Sequence, residues 1–177
     1  MHCVCVHLEV EQPGTPGVPM KKERKETMLK KLISTDNDAA TALLRLALGV
    51  VFFAHGAQKM LGWFGGDGFN GTIGFFTGTM HIPAPFAILA IAAEFFGGLG
   101  LVVGLLTRVA ALGIAVNMLV AIATVHYHFG FFMNWVGTQK GEGYEYHVLA
   151  VAMAVLLIVR GAGAASLDRA LTVARTR

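Results

Sequence analysis

Between Ala84 and Leu106 the chain carries one charged side chain, Glu94, in a stretch that is otherwise almost wholly apolar. A helix needs about 20 residues to cross a bilayer, and this stretch is long enough. An ionised carboxylate at mid-depth in hydrocarbon is costly. It must face other protein, meet a cationic or hydrogen-bonding partner, or carry a proton. The sequence therefore describes a membrane protein with at least one buried polar site. Composition agrees: 55% of the residues are hydrophobic, 14% are charged, and the mean hydropathy is +0.61. That is too little polar surface for a soluble domain of this size.

Four apolar runs stand out: Thr41–Leu61, Ala84–Leu106, Val109–Phe129 and Tyr144–Arg160. None alternates as a barrel strand would, and Leu, Ala, Val and Met dominate them, so each reads as a helix. The second and third are nearly continuous, with only Leu106, Thr107 and Arg108 to make the turn, which makes those two antiparallel neighbours. The expected fold is all-α, a four-helix transmembrane bundle. Lys21, Lys22, Arg24, Lys25, Lys30, Lys31, Arg108, Arg160, Arg169, Arg175 and Arg177 fall on one side of four crossings; Lys59 and Lys140 fall on the other. The positive-inside rule places both termini in the cytoplasm. The net charge of +3 reflects this topology rather than a nucleic-acid face, and no nucleic-acid partner is expected. Trp63 and Trp135, in the outer loops, suit either an interfacial aromatic belt or ordinary loop positions.

Four segments follow. Residues 1–28, broken by Pro13, Pro16 and Pro19 and ending in mixed charge, read as a disordered tail, of which a start at Met28 would leave residues 1–27 out of the native product. Residues 29–40 form a basic juxtamembrane segment, residues 41–168 the four-span domain, and residues 169–177 a basic tail. Cys3 and Cys5 both lie in the first segment and are read as incidental, and no cysteine lies in any span.

The polar residues within the spans are few. On the first helix Arg45, His55 and Lys59 fall inside a sector of about 80° and are expected to turn toward the bundle, although Arg45 and Lys59 sit near opposite ends and could instead snorkel. Glu94 lies ten residues, about 15 Å, from the outer end of its span. It is read equally as a structural ion pair and as a group that takes up a proton. Asn117 sits at comparable depth and reads as interhelical glue. At the outer end gather His55, His81, His126, His128 and His147, with Glu145 beside them. His126 and His128 are two apart and on one helix cannot both point inward. No metal site is assigned; interfacial histidines are the default, and a pocket for a polar aromatic head group such as a quinone is the sharper reading. The small-xxx-small pair Gly100/Gly104 predicts close backbone packing on a central second helix. Phe69, Ile73, Phe75 and Phe76, in the outer loop 62–83, predict a short amphipathic lid.

The stretches LRLALGVVFFAHGAQKMLGWFG, AEFFGGLGLVVGLLTRVAALGIAVNM and GEGYEYHVLAVAMAVLLIVRGAGAASLD, spread over about residues 41–168, together resemble the DoxX family of bacterial integral membrane proteins. The second departs from the family pattern after Gly98, where it reads Leu99-Gly100-Leu101. The resemblance implies a multi-pass protein of the bacterial inner (plasma) membrane. The family takes its name from a subunit associated with thiosulfate:quinone oxidoreductase, and other members are linked to oxidoreductase complexes that counter oxidative stress. His55, Lys59, Glu94, Arg108, Glu145 and Tyr146 match its motif positions. With no nucleotide-binding glycine motif and no cluster ligands, the chain would need a redox-protein partner or a quinone.

The leading expectation is a quinone-associated or accessory subunit of a membrane oxidoreductase system. Glu94, His55 and Lys59 would be its catalytic residues, with Glu94 relaying protons while His55 and Lys59 polarise a quinone oxygen. His55, Lys59, His126, Glu145, Tyr146 and His147 would bind the cofactor. A small-molecule transporter or exporter and a non-catalytic scaffold for antioxidant enzymes are the alternatives. Lipid is the surrounding partner, and association into a homo-oligomer is left open.

Overall fold

The structure, a computed structural model, describes Met28 and residues 30–174. The N-terminal tail through residue 27, with Cys3 and Cys5, lies outside the described residues, as do residues 175–177. Among the described residues every regular element is helical. After a helical stretch over residues 30–33 they are α1 (Ala39–Leu61), a 3-10 turn (Trp63–Gly65), α2 (Gly68–Gly74) running into a π-helical turn (Phe75–Thr79), α3 (Ala84–Val103), α4 (Thr107–Thr124), a 3-10 turn (His126–Phe129), α5 (Glu145–Arg160) and α6 (Leu167–Ala174).

Local chemistry sets the ends. Asp38 caps α1: its carboxylate accepts from the backbone N–H groups of Ala40 at 3.3 Å and Thr41 at 3.0 Å, and from the Thr41 hydroxyl. Gly62, at φ 73°, turns the chain out of α1 in the left-handed region where glycine is free of Cβ strain. α3 stops at Val103, earlier than Leu106, because Gly104 adopts φ 70° and ends the helix. α4 stops at Thr124, earlier than Phe129. There two β-branched residues, Thr124 and Val125, precede four ring-bearing ones, all poor helix formers. His126 and His128 consequently sit on a separate turn, so the shared-helix constraint expected between them does not apply.

Three helices, α1, α3 and α4, are long and apolar enough to cross a membrane; α5 is shorter, at 16 residues. α3 packs on α1 and α4, and α5 packs on α4 and α1. The core between them is formed by Leu48, Phe52, Leu101, Ile114, Met118 and Leu157, while Leu43, Phe86, Leu89, Leu112, Leu119 and Leu149 face outward. Outward Leu and Phe on every long helix are what a lipid solvent calls for.

Close approach of α1 and α3 depends on glycines other than Gly100/Gly104. A Cβ on Gly56 would meet Phe95 Cα at 2.4 Å, and one on Gly98 would meet Phe53 N at 2.3 Å. Gly100 instead lies against the α3–α4 turn, and Gly104 ends the helix. The expected lid segment is helical, as α2, and packs on α1 with Phe69 and Phe75 exposed.

The end of the molecule holding the α3–α4 turn is tied by two buried groups. Arg45, 1% exposed, turns inward rather than snorkelling. Its guanidinium donates to Ala162 O at 2.8 Å, Val102 O at 2.9 Å, Ala165 O at 3.1 Å and also to Leu101 O. Two of these carbonyls belong to the last turn of α3, where the helix dipole favours a cation. Asp168, also 1% exposed, accepts from Leu106 N at 2.8 Å and Thr107 N at 2.9 Å, and so caps α4 from another element. The boundary between residues 168 and 169 thus falls inside α6.

Candidate functional site

Glu94 is 6% exposed and uses both carboxylate oxygens. Oε2 pairs with the Lys59 ammonium from α1, and Oε1 accepts from Asn117 Nδ2 of α4 at 2.9 Å. The backbone explains the meeting. Gly56 lets α1 lie directly on Glu94 and Phe95, and Lys59, one turn further along, sends its side chain back toward the α1 N-terminus, hence deeper between the helices. A carboxylate in an apolar interior is stabilised by such charge-assisted bonds on both oxygens. Lys59 therefore does not snorkel; its side chain is 27% exposed and bound to Glu94.

His55 departs from the expected inward face. The buried sector of α1 is centred on Arg45 and Phe52, and His55 lies at its rim, exposed. It lines a shallow groove with Val50, Val51, Ala54, Gln58 and Phe64, and its ring comes within 6.5 Å of the Tyr146 ring. Tyr146 also stacks on Phe52 at 6.4 Å, and its hydroxyl is buried without a hydrogen-bond partner.

The outer-end residues divide into smaller groups. His126 and His147 stack with ring centroids 4.0 Å apart, and His126 Nδ1 lies 2.8 Å from Glu142 O. His147 is 6% exposed with Nδ1 unpartnered. Glu145 accepts from Met133 N at 3.1 Å, so it holds the loop before α5. His128 is exposed, and its nearest ring contact is Tyr127 at 6.1 Å. Arg108 donates to Ile158 O at 2.7 Å and Ser34 O at 3.0 Å, at the end of the molecule away from Glu94. The structure thus gathers Lys59, Glu94 and Asn117 into one cluster, sets His55 beside Tyr146, pairs His126 with His147, and places Arg108 apart.

Sequence reasoning missed the roles of Arg45 and Asp168. An arginine two turns into a span, and an aspartate closing a glycine-rich segment, were the available signals, but neither names its partner.

The DoxX family model matches residues 40–127. The chain belongs to the DoxX family. The match holds Lys59, Glu94 and Asn117, the whole of the charged cluster, with His55, whereas Glu145, Tyr146 and His147 lie beyond it. This DoxX protein is also 36% identical over 88 residues to the Bacillus subtilis (strain 168) protein named "Putative oxidoreductase CatD". That alignment covers 50% of this chain and 60% of the relative, so the chain spans less than two thirds of the length of the curated relative it matches. No solved structure matches.

Proposed function

We propose that this DoxX protein is a quinone-associated or accessory subunit of a membrane oxidoreductase system, in which Glu94 exchanges protons. The observation that carries the reading is the Lys59–Glu94–Asn117 cluster. A register-fixing ion pair needs no further polar group near it, yet here His55 stands one turn before Lys59 on α1, and the ring of Tyr146, whose buried hydroxyl has no partner, lies 6.5 Å from the His55 ring. The relative's name points the same way.

The residues suit a quinone in chemical type. Quinone oxygens accept hydrogen bonds, and the His55 ring supplies a donor beside the apolar walls of Val50, Val51, Ala54 and Phe64, with the Tyr146 ring 6.5 Å behind it. When bound, the quinone would supply the capacity to accept two electrons and two protons. His55 would orient one quinone oxygen, Tyr146 would back the His55 ring, the aliphatic groove would hold the apolar part of the ring, and Glu94 would hold or release a proton while Lys59 balances its charge.

The same proposal takes α5 as a fourth crossing of the bacterial inner membrane, with both termini in the cytoplasm. At 1.5 Å per residue its helix is about 24 Å long, and Leu149, Val155, Leu156 and Val159 face outward. Arg108, Arg160 and Arg169 lie with the α1 N-terminus, as the salt bridge from Arg160 to Asp38 at 3.5 Å illustrates.

Binding of a short-chain quinone to the protein in nanodiscs tests the function. Saturable binding that weakens at least tenfold in His55→Ala and in Glu94→Gln is the expected result. Binding that is absent, or equal in both variants to that of the parent, refutes it. Glu94-dependent solute flux across vesicles with no electron acceptor present would favour the transporter instead.

A further inference from the structure

We propose that the first turn of α5 forms a proton route between Glu94 and the outer end of the helices, running through water over Tyr146, His147 and His126. The proposal rests on the reading of Glu94 as a proton-exchanging group, and it adds the path and the residues that make it.

Two buried side-chain atoms in this region lack a partner, and they belong to consecutive residues: Tyr146 Oη and His147 Nδ1. An unmade hydrogen bond in a buried site costs about 1–3 kcal/mol, and nature ordinarily meets that cost with an internal water held by two to four polar atoms. Two orphans on rings whose centroids lie 5.5 Å apart fit bridging water better than two isolated defects. The groups on either side extend it. The Tyr146 and His147 ring centroids lie 5.5 Å apart, and His147 stacks on His126, whose Nδ1 reaches the outer loop at Glu142 O. At the inner side the Tyr146 ring lies against Phe52 and His55 of α1, the helix whose Gly56 packs on Glu94 and whose Lys59 binds it.

The chemistry is that of a relay. A phenol and an imidazole can each accept a proton on one atom and release another, which no aliphatic residue can do. In the inward direction His126 takes a proton from outer water and water carries one to His147. His147 releases a proton through water to the Tyr146 oxygen, whose own hydrogen passes through water to a Glu94 oxygen. The net change is one proton from outer water to the Glu94 carboxylate, leaving Lys59 an ammonium, and release is the reverse. Of the other titratable groups, Lys59 and His55 face this path from α1; Glu142 meets it only through its backbone carbonyl, its carboxylate accepting from Asn134 N at 2.7 Å, and the Glu145 carboxylate accepts from Met133 N.

The test uses the full chain in nanodiscs, with an external pH step followed by time-resolved infrared absorption of the protonated Glu94 carboxyl, identified as the band missing from Glu94→Gln. Tyr146→Phe, which keeps the ring and removes only the hydroxyl, and His147→Gln should each slow the band at least tenfold with its final amplitude unchanged. His128→Gln, an exposed histidine off the path, should leave the rate as it is. Unchanged rates in Tyr146→Phe and His147→Gln overturn the route while proton exchange at Glu94 stands. A shift in amplitude without a change in rate also overturns it, since that marks a structural effect on Glu94 alone. Absence of any Glu94 band across the accessible pH range overturns both the route and the reading beneath it.

Discussion

Removing Lys59 should harm this protein more than removing Glu94, and the double replacement should be milder than Lys59 alone. In Lys59→Met a carboxylate that is 6% exposed keeps only the Asn117 amide, so it is left charged and nearly unpaired among apolar helices. Breaking a buried pair in that way costs about 3–5 kcal/mol. In Glu94→Gln the stranded group is instead the ammonium of a side chain that is 27% exposed and can turn toward the interface, while the introduced amide keeps its bond to Asn117. The loss should be about 1–2 kcal/mol. Lys59→Met combined with Glu94→Gln leaves no buried charge, so its loss should fall below the sum of the single losses by about 2–3 kcal/mol, more than the Glu94→Gln loss itself. Equilibrium unfolding in mixed micelles, followed by far-UV circular dichroism, measures all four proteins. Strict additivity, or a Lys59→Met protein as stable as the parent, would refute the claim that the pair is buried and coupled.

Gly56→Ala and Gly98→Ala should each cost about 1–3 kcal/mol or more, because their new methyls meet backbone atoms of the partner helix, whereas Gly74→Ala, which meets nothing within 4 Å, should leave the thermal midpoint unchanged or raised. Arg45→Met strands the four carbonyls it now serves and should lower stability by about 3–5 kcal/mol, readable as loss of detergent-resistant folded protein on size-exclusion chromatography. Asp168→Ala uncaps α4 and should cost about 1–2 kcal/mol in the same assay. The Thr41 hydroxyl, with the Thr41 and Ala40 amides, holds the Asp38 carboxyl below its ordinary value of 3.8. A depressed folded value means that its contribution is present above the ordinary value and lost as pH falls through the folded one. Thermal midpoints taken on acidification should therefore fall less steeply in Asp38→Asn than in the parent.

How far the chain could be read in advance depended on the kind of question. Helix positions were legible because lipid demands continuous apolar helix, and their bounds held to within a few residues at α1 and α5. They failed at Val103 and Thr124, where left-handed or irregular backbone ended helices inside apolar runs. Glu94 was legible as needing a partner. Which partner was not: His55 and Lys59 share a sector of α1, yet Lys59 reaches the carboxylate while His55 stands at the rim. Arg45 was equally ambiguous, since its four acceptors belong to residues from 101 to 165.

The sequence by itself determined the solvent, the helical class and the fact that one carboxylate had to be sheltered, because these follow from transfer energies that every residue carries with it. The tertiary structure decided who shelters it. A helical wheel orients each side chain about its own axis only, and the meeting of Lys59, Glu94 and Asn117 depends on how three axes cross, which Gly56 and Gly98 settle by letting two backbones touch.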